Sequence, residues 1–200
     1  MNKQTTPILY FDGGSRGNPG IAAGAAVIQL PKKESYIVSD FMKYATNNEA
    51  EYTGLVIGLE KAQQLGIKIL EVRGDSQLVI NQVNGLWKVK SENLQGLYNK
   101  ARRLISQFNK INISWIPRKD NHLADTAVNE CIDQAIGKVS QSMITQNPVL
   151  FTSNLFNQGD LIVISQQQNR DNTQAGMIVE SPEILDNGKM RIVIEINTKD

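Results

Sequence analysis

Four acids, Asp12, Glu51, Asp75 and Asp125, constrain most strongly how this chain can fold. They are far apart in sequence, yet each lies where a strand or helix begins or ends. Asp12 follows the apolar run Ile8-Leu9-Tyr10-Phe11, and Asp75 follows Ile69-Leu70-Glu71-Val72-Arg73-Gly74. Glu51 falls in the first turns of a helix entered through Thr46-Asn47-Asn48, and Asp125 in the first turns of one entered at Asn121. Strand ends and helix starts are where an open α/β sheet gathers ligands. Carboxylates brought together there repel one another unless cations neutralise them, and all-oxygen ligation suits Mg²⁺, with Mn²⁺ as a substitute.

The order of periodicities supports such a sheet. Pro7–Phe11 reads as a strand ending at Asp12, followed by a turn-rich loop from Gly13 to Gly20. Ala22–Leu30 and Ser35–Phe41 form a hairpin around Pro31-Lys32-Lys33-Glu34. Asn47 or Asn48 can cap a helix with the stripe Tyr52, Leu55, Val56, Leu59 and Ala62, ending near Gly66. Lys68–Arg73 is a strand, and Ser76–Val83 a short helix capped by Ser76. Leu94 to Phe108 keeps helical period throughout, and Ile111–Ile116 is a strand stopped by Pro117. Asn121 caps a last helix bearing Val128, Ile132, Ala135 and Ile136 on one face. The predicted order β-β-β-α-β-α-α-β-α gives a mixed sheet with a leading antiparallel meander.

Beyond Ile136 the character changes. Residues 1–137 are expected to form the main domain, 138–157 a polar linker, and 158–200 a small all-β module of SH3-like size. In that last part, Asp160–Ser165, Gly176–Glu180 and Lys189–Ile196 read as strands, with Asp186-Asn187-Gly188 as a hairpin turn. Residues 1–147 carry 17 Lys and Arg against 13 Asp and Glu, whereas 148–200 carry 4 against 7. The basic part weakly suits a polyanionic substrate, and the acidic tail suits a protein partner better than phosphate. No apolar run approaches the roughly 20 residues that span a bilayer, and the N-terminus lacks a signal-peptide core. With Cys131 alone, no internal disulfide can form. A cytoplasmic monomer without membrane contact is the expectation.

Tyr10-Phe11-Asp12-Gly13-Gly14-Ser15-Arg16-Gly17-Asn18-Pro19-Gly20 resembles the first-strand signature of type I ribonuclease H. Thr46-Asn47-Asn48-Glu49-Ala50-Glu51-Tyr52 is similar to that family's helix-entry motif. Gly74-Asp75-Ser76-Gln77-Leu78-Val79 is similar to its third motif, and Asn121-His122-Leu123-Ala124-Asp125 to its fourth. The resemblance covers about residues 7–136. It implies a five-stranded mixed sheet flanked by helices, and endonucleolytic cleavage of the RNA strand of RNA/DNA hybrids. It further implies two Mg²⁺ ions about 4 Å apart. Asp12 would bridge them, Asp125 would complete the site of the water-activating ion, and Glu51 and Asp75 would hold the other. Products would carry 5′-phosphate and 3′-hydroxyl ends. By the same matching, Gly13, Gly14 and Ser15 read ribose 2′-hydroxyls, and Asn18 and Asn47 contact the minor groove. Thr46 meets a DNA phosphate. Asn121, beyond capping, can also touch phosphate.

Glu49 competes with Glu51, since the two lie about 200° apart on a helix and only one can face a shared site. The apolar stripe does not choose between them. Gly54 and Gly58 on the Glu51 side would permit close packing, and the family pattern favours Glu51, leaving Glu49 a solvated acid helped by the helix dipole.

The basic, Trp-rich handle of many members is absent. Gln82–Glu92 leaves Trp87-Lys88-Val89-Lys90, with Trp87 expected to be exposed and to meet substrate. The family's mobile His has no match, since His122 is too near Asp125 and reads as a local hydrogen-bonder; its role falls to Arg118 or Lys119 or stays vacant. Trp115 is expected in the core and Cys131 in packing. Lys100, Arg102, Arg103 and Lys110 suit a solvated face as well as a phosphate track. Taken singly, each carboxylate is a surface acid or cap more often than a ligand; it is the four in order that point to a nuclease. Two rivals remain: a junction resolvase-like DNA nuclease of this fold, and a catalytically weak nucleic-acid-binding module.

Overall fold

A computed structural model describes residues 6–31, 34–136, 177–179, 183–184 and 190–197. The first five strands are β1 (Ile8–Gly17), β2 (Gly20–Gln29), β3 (Glu34–Ala45), β4 (Ile69–Gly74) and β5 (Lys110–Trp115). They lie in the order β5-β4-β1-β2-β3. Pairing is antiparallel through β1, β2 and β3, and parallel from β1 to β4 to β5. This is the five-stranded mixed sheet that the periodicities predict.

Helices α1 (Asn47–Gln64), α2 (Gln77–Val83) and α3 (Glu92–Ile105) cover one side, where Tyr52, Leu59 and Leu104 share a core with Leu9, Phe11 and Ile28 of the sheet. Helix α4 (His122–Ala135) packs Ala127, Val128, Cys131 and Ile132 against Ala23 and Ala25 of β2. Alternate residues of β2 thus serve two cores, Ala26 and Ile28 facing one and Ala23 and Ala25 the other. Burial pushes the Cys131 thiol up to about 11, in keeping with packing.

Several boundaries differ from the sequence expectation. Strand β1 does not stop at Asp12: Gly13 to Gly17 stay in the ladder with β2, and the turn is Asn18-Pro19. Glycine-rich sequence reads as loop, but here the partner strand supplies hydrogen bonds that keep it extended. Thr46, not Asn47 or Asn48, caps α1. Its hydroxyl accepts from Glu49 N at 3.3 Å while Glu49 Oε2 accepts from Thr46 N at 2.8 Å, a reciprocal capping box. Glu49 is therefore a capping acid. Ser76 and Asn121 stand at the starts of α2 and α4, but neither side chain makes a capping hydrogen bond.

Three described strands fall within the expected C-terminal β module. Strands β6 (Met177–Val179), β7 (Glu183–Ile184) and β8 (Met190–Asn197) join the same sheet. Strand β8 runs antiparallel to β3, from Glu34 opposite Asn197 to Asp40 opposite Arg191. A sheet edge offers unpaired backbone groups, and an extended downstream segment satisfies them. Periodicity shows that such a segment is extended but not what it will pair with. The linker at 138–157 and the Asp186-Asn187-Gly188 turn lie outside the described residues.

Close approach of α1 to the sheet positions everything that follows. A Cβ on Gly13 would strike the α1 backbone at Ala50 and Glu51, and one on Gly54 would strike the carbonyl oxygen of Asp12. Gly54→Ala is expected to cost about 1–3 kcal/mol by overpacking. Gly96→Ala, on the exposed side of α3 with nothing within 4 Å, is expected to gain roughly 0.5–1 kcal/mol. Urea denaturation of the two variants checks both signs.

Candidate metal centre

The parallel pairing of β1 with β4 ends at Phe11 opposite Gly74. The next residue on each chain is Asp12 and Asp75, so both acids emerge side by side where the two strands part. Helix α1, seated on β1 and β2, brings Glu51 to the same place. One carboxylate oxygen from each of Asp12, Glu51 and Asp75 lies within 4.8 Å of the others. Asp12 and Glu51 are buried, and Asp75 is half-buried. Glu49 is not part of this group.

Asp125 stands slightly apart. Its Oδ1 accepts from Arg118 at 2.6 Å and its Oδ2 from Asn129 at 3.1 Å. Its charge nonetheless reaches Asp12 and contributes to raising that acid's pKa. The structure therefore gathers three of the four acids tightly and holds the fourth at the rim through Arg118, whose side chain is 78% exposed.

Electrostatics confirm that the group is unfavourable as bare anions. Burial, then the charge of Asp75, pushes Asp12 up to about 7. Burial, then Asp12 and Asp75, pushes Glu51 up to about 9. Glu51 Oε2 is buried without a hydrogen-bond partner among the described residues. An orphaned buried carboxylate oxygen among like charges is what an oxygen-ligated divalent cation would satisfy. The residues present fit such an ion.

The remaining expected contacts divide. Asn18 Oδ1 accepts from Asn47 N at 3.0 Å, which ties the hairpin turn to the start of α1. Arg16 at the same tip pairs with Asp133 of α4 at 2.6 Å. Gly14 and Ser15 are half-buried within β1, and Gly13 N donates to Asp12 Oδ1 at 2.8 Å. Thr46 Oγ1 donates to Glu49 Oε2 at 2.6 Å. Trp87 is half exposed, as expected, beside Lys88 and Lys90.

Two expectations need correction. Asn121 is 1% exposed and turned inward to Phe11 and Asp75, so it does not face a phosphate. Trp115 is 46% exposed, because it closes β5 at the sheet's end, and its ring N–H donates to Asp75 O at 3.0 Å. Of the cations open to two readings, Lys100 pairs with Glu60, and Arg102 donates to Val83 O. Sequence reasoning missed the capping role of Glu49, although Thr46-x-x-Glu49 is a readable capping-box spacing. It also missed the Trp115–Asp75 bond, for which the sequence carries no signal.

The profile of the family described as reverse transcriptase-like matches residues 10–131. The chain belongs to that family. Ribonuclease HI of Halobacterium salinarum is 43% identical over 129 residues, covering 63% of this chain and 64% of that protein. The bifunctional protein Rv2228c of Mycobacterium tuberculosis is 43% identical over 130 residues, covering 64% of this chain. The chain spans only 36% of that relative's length. Among solved structures, the N-terminal ribonuclease H domain of the same mycobacterial protein superposes with a TM-score of 0.62 at 42% identity, covering 66% of this chain and 96% of that one. LC11-RNase H1 in complex with an RNA/DNA hybrid gives 0.61 at 37%, covering 66% and 99%. Among the described residues, no helix is long and apolar enough to cross a membrane.

Raised carboxyl values fix a sign for stability. Asp12 ordinarily titrates at 3.8 and Glu51 at 4.5, and in the folded chain they titrate at about 7 and about 9. The native state thus binds more protons than the unfolded state between those limits. Without metal, stability is expected to fall as pH rises from about 4 to about 9, with the full penalty above 9. Glu51→Gln should flatten that slope. Thermal melts in EDTA across this pH range check it.

Proposed function

We propose that this chain is a Mg²⁺-dependent ribonuclease H that hydrolyses the RNA strand of RNA/DNA hybrids, leaving 5′-phosphate and 3′-hydroxyl ends. The supporting observation is the group of Asp12, Glu51 and Asp75 oxygens, within 4.8 Å of one another and partly buried at the strand ends. These three would hold the ions, with Asp125 completing the set from α4. When bound, two such ions stabilise the attacking and departing oxygens of an in-line displacement at phosphorus. Mn²⁺ is the expected substitute.

The chain's own groups supply position. The Gly13 N–H holds one Asp12 oxygen, fixing the carboxylate's rotation. The Asn18–Asn47 bond and the Arg16–Asp133 pair hold the β1–β2 tip against α1 and α4. That steadies the Gly13, Gly14 and Ser15 backbone proposed to meet ribose 2′-hydroxyls, the feature that separates RNA from DNA. Beside it, a groove of about 740 Å³ is lined by Asn18, Thr46, Trp87, Lys88, Lys90 and Asn93. Amides and lysines suit a phosphate backbone, and an exposed indole suits base stacking. Trp87 with its two lysines is thus a compact substitute for the missing handle. The hybrid-bound relative supports the same substrate class. Residues 1–137 carry every one of these groups, so we assign the activity to that part; the C-terminal strands are proposed to stabilise it or meet a protein partner, the whole acting as a monomer.

With Mg²⁺, labelled RNA/DNA hybrid is expected to be cut, while RNA duplex, DNA duplex and a four-way junction are spared; EDTA should abolish cutting. Cutting of the junction alone, or of nothing, would overturn the proposal. Asp12→Asn and Glu51→Gln should each lose more than the roughly 10–100-fold typical of removing a ligand's supporting partner. Glu49→Gln should change the rate little, since Gln also serves a capping box. Initial rates on the hybrid distinguish these outcomes.

A further inference from the structure

Asp75 is the one member of the tight carboxylate group that no regular element holds. It sits between the end of β4 at Gly74 and the start of α2 at Gln77, and Ser76 makes no capping bond there. Its placement comes instead from the end of β5 and the segment that follows it. The Asn121 amide donates to Asp75 Oδ1 at 2.7 Å and to Phe11 O at 2.9 Å. The Trp115 ring N–H donates to Asp75 O at 3.0 Å. Asp75 is thus gripped at both its carboxylate and its main chain.

The Asn121 contacts are chemically one-directional. Both partners are acceptors, so only the amide nitrogen, with its two protons, can face them. The side-chain oxygen is left buried without a partner among the described residues. No helix cap explains this residue, since its side chain makes none. Asn121 is 1% exposed and thus unreachable by substrate. Its second proton fixes the carbonyl just before Asp12, so one amide sets the spacing of Asp12 and Asp75. Its own carbonyl accepts from Asp125 N at 3.1 Å, which starts the α4 turn carrying the fourth acid.

We infer that Asn121 and Trp115 are positioning residues that clamp Asp75 in the orientation needed to share a divalent cation with Asp12. This rests on the acids being cation ligands, as in the proposed function. Neither residue touches the reacting phosphate; both act through Asp75.

The test uses the full chain and measures Mn²⁺ affinity by titration calorimetry, alongside kcat and KM on RNA/DNA hybrid at saturating Mn²⁺. Asn121→Ala is expected to weaken Mn²⁺ binding roughly 10–100-fold and to lower kcat, with KM for the hybrid unchanged. Asn121→Asp, which sets an acceptor against two acceptors, should lose more. Trp115→Phe keeps an aromatic ring, removes the indole N–H, and should show a smaller loss in the same direction. A structural role alone would lower urea stability without moving Mn²⁺ affinity in the folded variants, and that result overturns the clamp. If Asn121→Ala does not fold, Trp115→Phe decides by the same criterion. Native chain that binds Mn²⁺ but cuts no hybrid sinks the proposed function and leaves the clamp to the binding data. Native chain that binds no Mn²⁺ overturns the clamp.

Discussion

Parallel pairing of β1 with β4 stops at Phe11 and Gly74, and the site depends on that stopping point. Because that ladder ends level, Asp12 and Asp75 stand as neighbours where β1 and β4 part, at the carboxyl ends of paired parallel strands where α/β sheets receive ligands, while β1 itself continues to Gly17 beside β2. Had the register slipped by one residue, side chains would have changed faces and the acids would have parted. The close seating of α1 then adds Glu51. Small residues at the contact let the helix backbone approach the Asp12 carbonyl, so a third carboxylate enters a pocket already short of water.

That arrangement is costly, and the cost is informative. Two acids raised far above their ordinary range by burial and mutual repulsion do not stabilise a fold. Perturbed carboxyls in one cleft mark a functional site, with the physical cause visible in the geometry. The orphaned Glu51 oxygen adds the same message from hydrogen bonding. Around it the chain spends neutral donors, Gly13 N, Asn121 and Trp115, on carboxylate and carbonyl oxygens of Asp12 and Asp75. Those donors set direction without neutralising charge, which leaves the charge for a cation.

Much of this was legible in the sequence. The five strands and four helices follow from periodicity, and the four acids from their places at element ends. What was not legible depended on partners distant in sequence. Gly13 to Gly17 look like loop until β2 is beside them. Trp115 looks like core until β5 is seen to end at the sheet's rim. Asn121 looks like a cap or a phosphate contact until the carbonyl of Phe11, 110 residues earlier, accepts its hydrogen bond. The pairing of β8 along the edge of β3 carries no signal in either strand's own sequence.

A crystal soaked in Mn²⁺, with anomalous scattering recorded at the manganese edge, addresses the central point most directly. A peak within coordination distance of Asp12, Glu51 and Asp75 together is the expected result. Manganese bound elsewhere while this pocket keeps its three carboxyls protonated and bonded to one another would contradict it.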